Sequence, residues 1–487
     1  MADALDDSVF DRWHEECGVF GIWRHPDAAA VTHLALYALQ HRGQESAGIA
    51  VVDGARMRHY RGMGLVSEVF TSENLAALSG HGAVGHVRYS TTGSSNLANA
   101  QPMVFTLRQG QLALAHNGNL INAEQLHDDL EHQGSIFQST SDTEVVAHLI
   151  ARAGGASFID SVRAAMGAVE GGYAMVMLTS DHLIALRDPS GLRPMALGRL
   201  NGSYVVASET CAFDTIGATF IRDIEPGEML VVDDDGVHTE RFATAPRKAL
   251  CTFEYIYFAR PDSDIDGINV HTVRKQLGRV LARSCPVDAD VVVGVPDSSI
   301  SAAIGYAEEA GIPYEIGLIK NRYVGRTFIQ PSHEQRQYGV HLKLNAVRKV
   351  VEGQRVVIVD DSIVRGTTSA RLVSLVRDAG AREVHMRISS PPVTHSCFYG
   401  IDTSDRTKLI AAHQTIEEIR QSTGADSLAY LTEEQMLSAF GVTDMSHHPF
   451  CNACFTGRYP TRLYNGMSKD MLEKSPAPIP IRKRAAG

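Results

Sequence analysis

The stretch VVIVDDSIVRGTTS (Val356–Ser369) joins a continuous apolar strand to a glycine-containing loop and then to the start of a helix. Two carboxylates, Asp360 and Asp361, end the strand, and Gly366 permits close approach of the backbone before the hydroxyls of Thr367 and Thr368. A helix start of this kind is an anion site. Because the two carboxylates would repel a phosphate, they fit instead a sugar's hydroxyls or a magnesium ion.

The same unit occurs earlier in the chain, which predicts a sheet around this loop. The apolar run Asp290–Val295 leads through a turn into a helix that ends at Ala310, with Gly311 in the position of a helix-terminating glycine. The helix after the loop stops at Gly380 and is followed by a strand, Glu383–Ile388. Strand, loop, helix and strand in succession predict a parallel α/β sheet with both loops at the carboxyl ends of strands.

A basic segment lies between the two units. Lys320–Lys349 contains one acidic residue, Glu334, and seven basic ones: Lys320, Arg322, Arg326, Arg336, Lys343, Arg348 and Lys349. Positive charge with aromatic and glycine residues suits a loop that closes over a polyphosphate, although a solvated basic face would look the same. The turn after the earlier strand adds Ser298 and Ser299, whose hydroxyls and N–H groups could meet a pyrophosphate or its metal.

Length and composition limit the class of protein. A chain of 487 residues predicts about three domains or two large ones. The net charge is −11, and 44% of residues are hydrophobic against 21% charged, which excludes a mainly disordered chain and a basic nucleic-acid platform. No run reaches the ~18 apolar residues of a membrane span. The acidic N-terminus has no apolar core of a secretory signal. We therefore expect a cytoplasmic protein with neither nucleic-acid nor membrane partners.

The N-terminal half has a different pattern. Gly-rich strand segments continue from Cys17 to about residue 240, with helices such as Glu144–Arg152 between them, and this pattern is typical of a layered α+β domain. Ala243–Lys248 is a plausible linker. The seven cysteines in a chain without an export signal predict buried, catalytic or metal-binding thiols rather than disulfides. Cys451 and Cys454 have the close spacing of metal ligands.

Several motifs resemble known families. VVIVDDSIVRGTTS resembles the phosphoribosyl-pyrophosphate (PRPP) motif of type I phosphoribosyltransferases. Four motifs resemble, in order, the N-terminal-nucleophile glutamine amidotransferases: HRGQESAGIAV (His41–Val51), GHVRYSTTG (Gly85–Gly93), HNGNL (His116–Leu120) and SDTEV (Ser141–Val145). With CTFEYIYFARPDS (Cys251–Ser263) at the junction, the chain from Cys17 to about Tyr459 resembles the amidophosphoribosyltransferase family.

The resemblance implies a glutamine site. Cys17 would be the nucleophile, exposed as the first residue after removal of residues 1–16, with its own α-amine as general base. The Asn117 amide and the Gly118 N–H would form the oxyanion hole. Arg88 would hold glutamine's α-carboxylate and Asp142 its α-ammonium. Taken alone, Arg88 could equally form a surface ion pair and Asp142 could cap a helix.

The resemblance also implies two further groups of residues. PRPP would be bound by Asp360, Asp361, Ser362, Arg365, Gly366, Thr367, Thr368 and Arg326, with Mg²⁺ on Ser298, Asp360 and Asp361. One branch of the family carries a 4Fe-4S cluster and a cleaved leader, and its four ligands correspond to Cys251, Cys397, Cys451 and Cys454. Spacing alone does not distinguish this set from a zinc site. Cys211 and Cys285 are expected to be ordinary buried thiols.

The expected fold is an N-terminal-nucleophile αββα glutaminase domain followed by a type I phosphoribosyltransferase domain with a parallel sheet. The expected segments are a propeptide (1–16), the glutaminase domain (17–243), the transferase domain (251–460) and a tail (461–487).

The resemblance implies transfer of glutamine-derived ammonia to C1 of PRPP, the first committed step of purine (IMP) synthesis, by a homotetramer inhibited by purine nucleotides. Two alternatives remain open: a phosphoribosyl-binding transcriptional regulator, and another amidotransferase such as glucosamine-phosphate synthase.

Overall fold

The computed structural model describes residues 17–89, 94–321, 344–401, 403, 405–464 and 472. The predicted leader, Arg326, most of the basic segment and the tail from Lys474 lie outside these residues. The elements of the first half are β1 (Gly18–Trp23), α1 (Ala28–Ala38), β2 (Ser46–Asp53), β3 (Arg56–Met63), α2 (Val66–Val69), α3 (Ser72–Ala76), β4 (Gly82–Arg88), β5 (Met103–Leu107), β6 (Gly110–Leu120), α4 (Ala123–His132), α5 (Asp142–Arg152), α6 (Phe158–Met166), β7 (Gly171–Leu178), β8 (Leu183–Arg187), β9 (Ala196–Leu200), β10 (Ser203–Ala207), α7 (Cys211–Ile216), β11 (Thr219–Asp223), β12 (Glu228–Val232) and β13 (Val237–Arg241).

The elements of the second half are β14 (Leu250–Cys251), a π-helix (Glu254–Phe258), β15 (Asp264–Ile265), β16 (Ile268–Asn269), α8 (Val270–Ser284), β17 (Val291–Gly294), α9 (Ile300–Ala310), β18 (Leu318–Lys320), β19 (Leu344–Ala346), α10 (Arg348–Val351), β20 (Arg355–Asp360), α11 (Thr367–Asp378), β21 (Glu383–Ile388), α12 (Ile416–Thr423), β22 (Ser427–Tyr430), α13 (Glu433–Ala439), β23 (Phe450–Cys451) and α14 (Ala453–Thr456). Short 3₁₀ turns lie at Gln40–Arg42, Leu97–Asn99, Arg406–Lys408 and Ile410–Ala412.

The first half is a four-layer αββα sandwich. One antiparallel sheet has the order β11-β9-β10-β1-β4-β2-β3 and the other the order β13-β12-β8-β7-β6-β5. Val19 and Val84 of the first sheet share a buried core with Ala115 and Val176 of the second. Helices α1 and α7 cover the outer face of the first sheet, and α5 and α6 cover that of the second. The predicted layered fold is confirmed.

The second half contains the predicted parallel sheet, in the order β17-β20-β21-β22. Val356 pairs with Val291 on one side and with Val384 on the other, in parallel register. Helices α8 and α9 pack on one face of this sheet, and α11 and α12 on the other. Burial on both faces explains the unbroken apolar runs of β17 and β20.

Local boundaries differ from the prediction by one or two residues. Helix α5 begins at Asp142 rather than Glu144, because the Ser141 side chain accepts the Thr143 N–H and caps the helix. Thr367 is the first residue of α11, and Gly366 adopts φ +85 immediately before it. Helix α11 ends at Asp378, before the predicted Gly380, whereas α9 ends at Ala310 with left-handed Gly311 as predicted.

The two halves meet through buried charges. The Arg42 guanidinium donates to the carboxylates of Glu209 and Glu254, and Arg193 lies 3.5 Å from Glu254. These four side chains are all fully buried. Within the described part of the chain, no helix combines the length and apolarity that crossing a bilayer requires.

Candidate active sites

Cys17 immediately precedes β1, inside the sandwich. Side chains alternate along a strand, so Cys17 shares a face with Val19, which packs between the two sheets. The register that pairs Gly18 with Val87 brings Arg88 beside it. The thiol is 5% exposed and donates to the Tyr89 carbonyl at 3.3 Å. Burial raises the pKa of Cys17 to about 11, although Arg88 opposes the shift. The thiol is therefore protonated at neutral pH and needs a base.

Asn117 presents an unpartnered amide in the same interior. It shares its face of β6 with Ala115 of the inter-sheet core and is fully buried. Neither its side-chain oxygen nor its nitrogen has a hydrogen-bond partner among the described residues. Leaving such a group unsatisfied costs about 1–3 kcal/mol, so a buried unpartnered amide points to a substrate atom.

Gly118 follows in a conformation that only glycine adopts readily. Its φ is +136, and a Cβ there would lie 2.0 Å from the Gly172 carbonyl oxygen. The predicted oxyanion pair therefore stands on a backbone segment that tolerates no side chain at its second position.

Asp142 lies in the first turn of α5 and does not cap the helix. One carboxylate oxygen accepts the Leu120 N–H at 3.0 Å and the other lies 3.5 Å from Nδ1 of His116. Burial alone would raise the pKa of Asp142, but His116 and the Leu120 N–H outweigh it and hold that pKa below its usual value. The group is thus a stable carboxylate, which suits an ammonium ligand.

The Arg88 side chain is buried and does not form an ion pair at the surface. Its side chain is 3% exposed, lies 3.8 Å from the Glu45 carboxylate and donates to the Ser94 carbonyl at 3.3 Å. The charges of Arg88, Glu45 and Asp142 all act on the Cys17 thiol, so these groups form one site.

The carboxyl ends of β17 and β20 meet at Asp360 and Asp361. The Ser298 hydroxyl donates to Oδ2 of Asp361 at 2.5 Å, and the Ser299 hydroxyl donates to Oδ1 of Asp360 at 3.1 Å. The Ser362 hydroxyl donates to Oδ1 of Asp361 at 2.6 Å. Carboxylate and hydroxyl oxygens are the ligands that Mg²⁺ prefers, so this donor set fits that ion.

The loop after these carboxylates leads directly into the N-terminus of α11. A Cβ on Gly366 would lie 2.8 Å from Cδ1 of Ile410, so the loop is closely packed there. Arg365 and Thr367 are exposed, whereas Thr368 is buried in the first turn. A guanidinium and a helix N-terminus on the same short loop can bind a phosphate.

Four cysteines line one cavity in the second half. Strand β14 pairs in parallel with β23, which places Cys251 beside Cys451. Cys397 and Cys454 complete the lining, together with Arg193, Tyr399 and Tyr459. The four are free thiols. Of the two remaining cysteines, Cys211 is buried as expected, but Cys285 is only half-buried because it ends helix α8.

The four thiols are not preassembled as a compact zinc site. Four thiolates on one Zn²⁺ at about 2.3 Å would lie about 3.8 Å from one another. In the described ranges, the side chains that gather three ligand atoms within 4.8 Å are His127, Asp128 and Glu131, and the four cysteines are not among them. The four thiols line one cavity, and a thiolate tetrad of this kind can hold either a zinc ion or an iron–sulfur cluster.

The sequence did not predict a role for two residues near the glutamine site. His116 and Asn119 both lie in HNGNL, but their partners Asp142 and Phe398 are distant in sequence. The motif predicted that this segment belongs to the site. The contacts of these two side chains could not be predicted, because their partners come close only when the chain folds.

The geometry defines a class: a glutaminase with a buried thiol joined to a phosphoribosyl-binding domain. Residues 86–215 match the glutamine amidotransferase domain family, and residues 276–389 match the phosphoribosyl transferase domain family.

Relatives that align over nearly the whole chain identify the family within this class. The chain is 57% identical over 453 residues to the amidophosphoribosyltransferase of Bacillus subtilis, covering 93% of this chain and 95% of that one. It is 51% identical over 472 residues to that of Synechocystis, with 95% of each chain covered. A solved B. subtilis glutamine PRPP amidotransferase, complexed with ADP and GMP, is 56% identical with a TM-score of 0.89, covering 94% of this chain and all of that one.

The chain belongs to the amidophosphoribosyltransferase family. The predicted enzyme class and reaction are confirmed, and both alternatives, the transcriptional regulator and glucosamine-phosphate synthase, are set aside.

Proposed function

We propose that this amidophosphoribosyltransferase releases ammonia from glutamine at Cys17 and transfers it, inside the protein, to PRPP at the Asp360–Thr368 loop. The observation that carries the proposal is the buried, unpartnered Asn117 amide in the interior that also holds Cys17, Arg88 and Asp142. A cationic, an anionic and a neutral hydrogen-bonding group match the carboxylate, the ammonium and the amide of glutamine.

At the first site the chemistry is acyl transfer. The Cys17 sulfur attacks the side-chain amide carbon, and the resulting oxyanion accepts hydrogen bonds from the Asn117 amide and the Gly118 N–H. The Cys17 α-amine, with a pKa near 8, takes the thiol proton and returns it to the departing ammonia. Water then hydrolyses the thioester to glutamate and regenerates the thiol.

At the second site ammonia displaces pyrophosphate from C1 of the ribose. The α11 N-terminus, with Ser362, Arg365, Gly366, Thr367, Thr368 and Arg326, binds phosphate oxygens, and Asp360 and Asp361 lie at the sugar. Ser298, Asp360 and Asp361 would hold Mg²⁺, which supplies charge neutralisation for the leaving pyrophosphate. Transfer inside the protein matters because ammonia released into neutral water is mostly protonated and no longer nucleophilic.

The decisive experiment measures glutamate and pyrophosphate from the same reaction. Anaerobically purified protein is given glutamine, with PRPP and Mg²⁺ either present or absent. The proposal expects equal release of both products in the complete mixture. Glutamate without pyrophosphate would contradict transfer to PRPP, and pyrophosphate without glutamate would contradict the glutaminase site.

We further propose that residues 1–16 are a propeptide. With them attached, the Cys17 nitrogen is an amide and cannot act as a base, and the thiol stays protonated by burial. Intact-mass analysis of active enzyme should show a chain beginning at Cys17. A fully active chain that retains Met1 would refute the α-amine base.

The thiol cavity is proposed to hold a 4Fe-4S cluster on Cys251, Cys397, Cys451 and Cys454. Four thiols that line one cavity support a thiolate-bound metal group at this position. Because the reaction has no redox step, we propose that the cluster is structural or oxygen-sensing. Anaerobic protein should contain about four iron and four sulfide per chain and absorb visible light, and a Cys454→Ser variant should lose that absorption. Stoichiometric zinc would contradict the assignment.

The remaining proposals concern organisation and regulation. The segments 17–243 and 251–460 would be the glutaminase and transferase domains, separated by proteolysis within 243–250. The enzyme would be a cytoplasmic homotetramer inhibited by purine nucleotides, as the ADP and GMP in the B. subtilis structure suggest for that relative. Analytical ultracentrifugation and inhibition by AMP, ADP and GMP test these points directly.

A further inference from the structure

We propose that Asn119 is a positioning residue for the oxyanion hole: its side chain holds a segment of the transferase half, Phe398–Gly400, against the backbone of Gly118. The inference rests on the proposed function, since it assumes that Cys17 attacks glutamine and that Asn117 and Gly118 bind the oxyanion. It assigns to the second half of the chain a direct part in the geometry of the first active site.

The first observation is a hydrogen bond between the halves. Nδ2 of Asn119 donates to the Phe398 carbonyl at 2.9 Å, across 279 residues of sequence. Asn119 is 8% exposed, so water competes little for this bond. The next carbonyl, that of Tyr399, accepts from Nε of Arg193 at 3.0 Å. Two consecutive carbonyls of the segment are thus bound by side chains of the glutaminase half.

The second observation is the tight packing that this anchoring produces. A Cβ on Gly400 would lie 3.2 Å from Cα of Gly118, and a Cβ on Gly172 would lie 3.0 Å from Cβ of Tyr399. On its β7 side, Gly118 abuts the Gly172 carbonyl oxygen. Gly118 is therefore enclosed between β7 and the Phe398–Gly400 segment.

This enclosure bears on catalysis because an oxyanion hole depends on exact placement of its donors. Gly118 has φ +136, which few backbone contexts favour, so its orientation relies on its neighbours. A misplacement of about 1 Å at a reacting centre can cost about 100-fold in rate. Arg88 and Asp142 stand on β4 and α5, although Asp142 also accepts the Leu120 N–H of β6, so the anchor affects glutamine binding less than it affects the oxyanion donors. Loss of the Asn119 anchor should lower kcat without raising KM.

The test uses Asn119→Leu and Asn119→Asp in the full-length processed enzyme. Both remove the donor; Asp keeps the size of Asn and excludes a purely steric effect. We expect kcat for glutamine hydrolysis to fall at least ~10-fold, KM for glutamine to stay within about twofold, and ammonia-dependent synthesis to be unchanged. Alkylation of Cys17 by iodoacetamide should also keep its rate, because displacement at that carbon develops no oxyanion.

A matched control removes a different hydrogen bond to the same segment. The Thr461 hydroxyl bonds the Tyr399 hydroxyl at 2.8 Å, away from the anchored carbonyls. Thr461→Val should keep kcat for glutamine. A normal kcat in both Asn119 variants would overturn the inference, as would a rise in KM that accounts for the loss, or a parallel loss of alkylation and ammonia-dependent synthesis.

A failure of the proposed function can be distinguished from a failure of the Asn119 proposal. If wild-type enzyme alkylated at Cys17 still hydrolyses glutamine, the nucleophile is wrong and the glutaminase assignment fails. If alkylation abolishes hydrolysis but the Asn119 variants behave as wild type, only the positioning role fails.

Discussion

The described groups around the Cys17 thiol include no base that would take its proton in the proposed mechanism. The charges of Arg88 and Asp142 act on the thiol, and the Tyr89 carbonyl accepts the thiol hydrogen without removing it. The proposal gives the thiol the bond-making step with glutamine and lets the second site use ammonia from any source.

Cys17→Ala should therefore abolish glutamine-dependent synthesis and leave ammonia-dependent synthesis intact. Pyrophosphate release is measured with glutamine and, separately, with ammonium chloride at alkaline pH. Alanine is smaller than cysteine and fits the site without a clash. Loss of both activities would contradict the separation into two sites.

Asn117→Ala tests the unpartnered amide. Removing one oxyanion donor costs about 10²–10³ in kcat, and we expect a decrease of that size for glutamine hydrolysis with little change in KM. Because the amide has no partner among the described residues, its loss breaks no hydrogen bond of the fold. A thermal midpoint close to wild type would accompany the kinetic loss, and a normal kcat would remove Asn117 from the mechanism.

His116 gives the site a defined pH dependence. It helps to hold the pKa of Asp142 below its usual value, so the wild-type carboxylate stays ionised across neutral and mildly acidic pH. In His116→Phe, burial dominates and raises that pKa, so the carboxyl is protonated as the pH falls. KM for glutamine should then rise as the pH falls in the variant but not in the wild type. Parallel profiles would refute this role.

At the scale of the element, β20, its loop and α11 act as one unit. The two carboxylates lie at the end of the strand. Gly366 has a left-handed conformation immediately before the N-terminus of α11, which therefore follows the carboxylates after a short loop. The left-handed φ favours glycine at this position, and a Cβ there would also displace the end of the Ile410 side chain.

Gly366→Ala should weaken PRPP binding beyond its cost in stability. Left-handed alanine costs about 1–2 kcal/mol at either of two glycines, Gly366 and Gly311. Gly311 has φ +68 and open space around a Cβ, so Gly311→Ala is the matched control. Both variants should unfold at lower temperature, but KM for PRPP should rise in Gly366→Ala alone. An equal rise in both would show only general destabilisation.

At the scale of the whole molecule, buried charges join the halves. Glu254 of the second half is shared by Arg42 and Arg193 of the first, with no exposed atoms on any of the three side chains. Desolvation makes such a group costly to disrupt, because removing one member leaves a buried charge without compensation.

Glu254→Gln should lower the free energy of unfolding by about 3–5 kcal/mol. The matched control is Glu240→Gln, which breaks the surface pair of Glu240 with Arg163 at 2.7 Å. Exposed pairs contribute little, so the control should unfold at the wild-type midpoint. The two are compared by calorimetry at one scan rate, since unfolding of a chain this large can be irreversible. Similar midpoints for both variants would refute the structural role of the network.

Local preferences in the sequence account for the strands, turns and helix ends of this protein. Apolar periodicity, the glycines and the capping residues specify the strand–loop–helix units, because these preferences act over a few residues. The motifs around Cys17, Asn117 and Asp360 predict both sites for the same reason: each proposed site is built on short segments at strand ends.

Contacts between groups that are distant in sequence depend on the tertiary structure. Asn119 meets Phe398, His116 meets Asp142 and Arg42 meets Glu254, in each case between residues that no local pattern relates. The convergence of the four thiols on one cavity is likewise a property of the fold, since cysteine spacing along the chain does not determine it. Such contacts depend on packing of whole layers, and no preference acting over a few residues determines how two layers pack against each other.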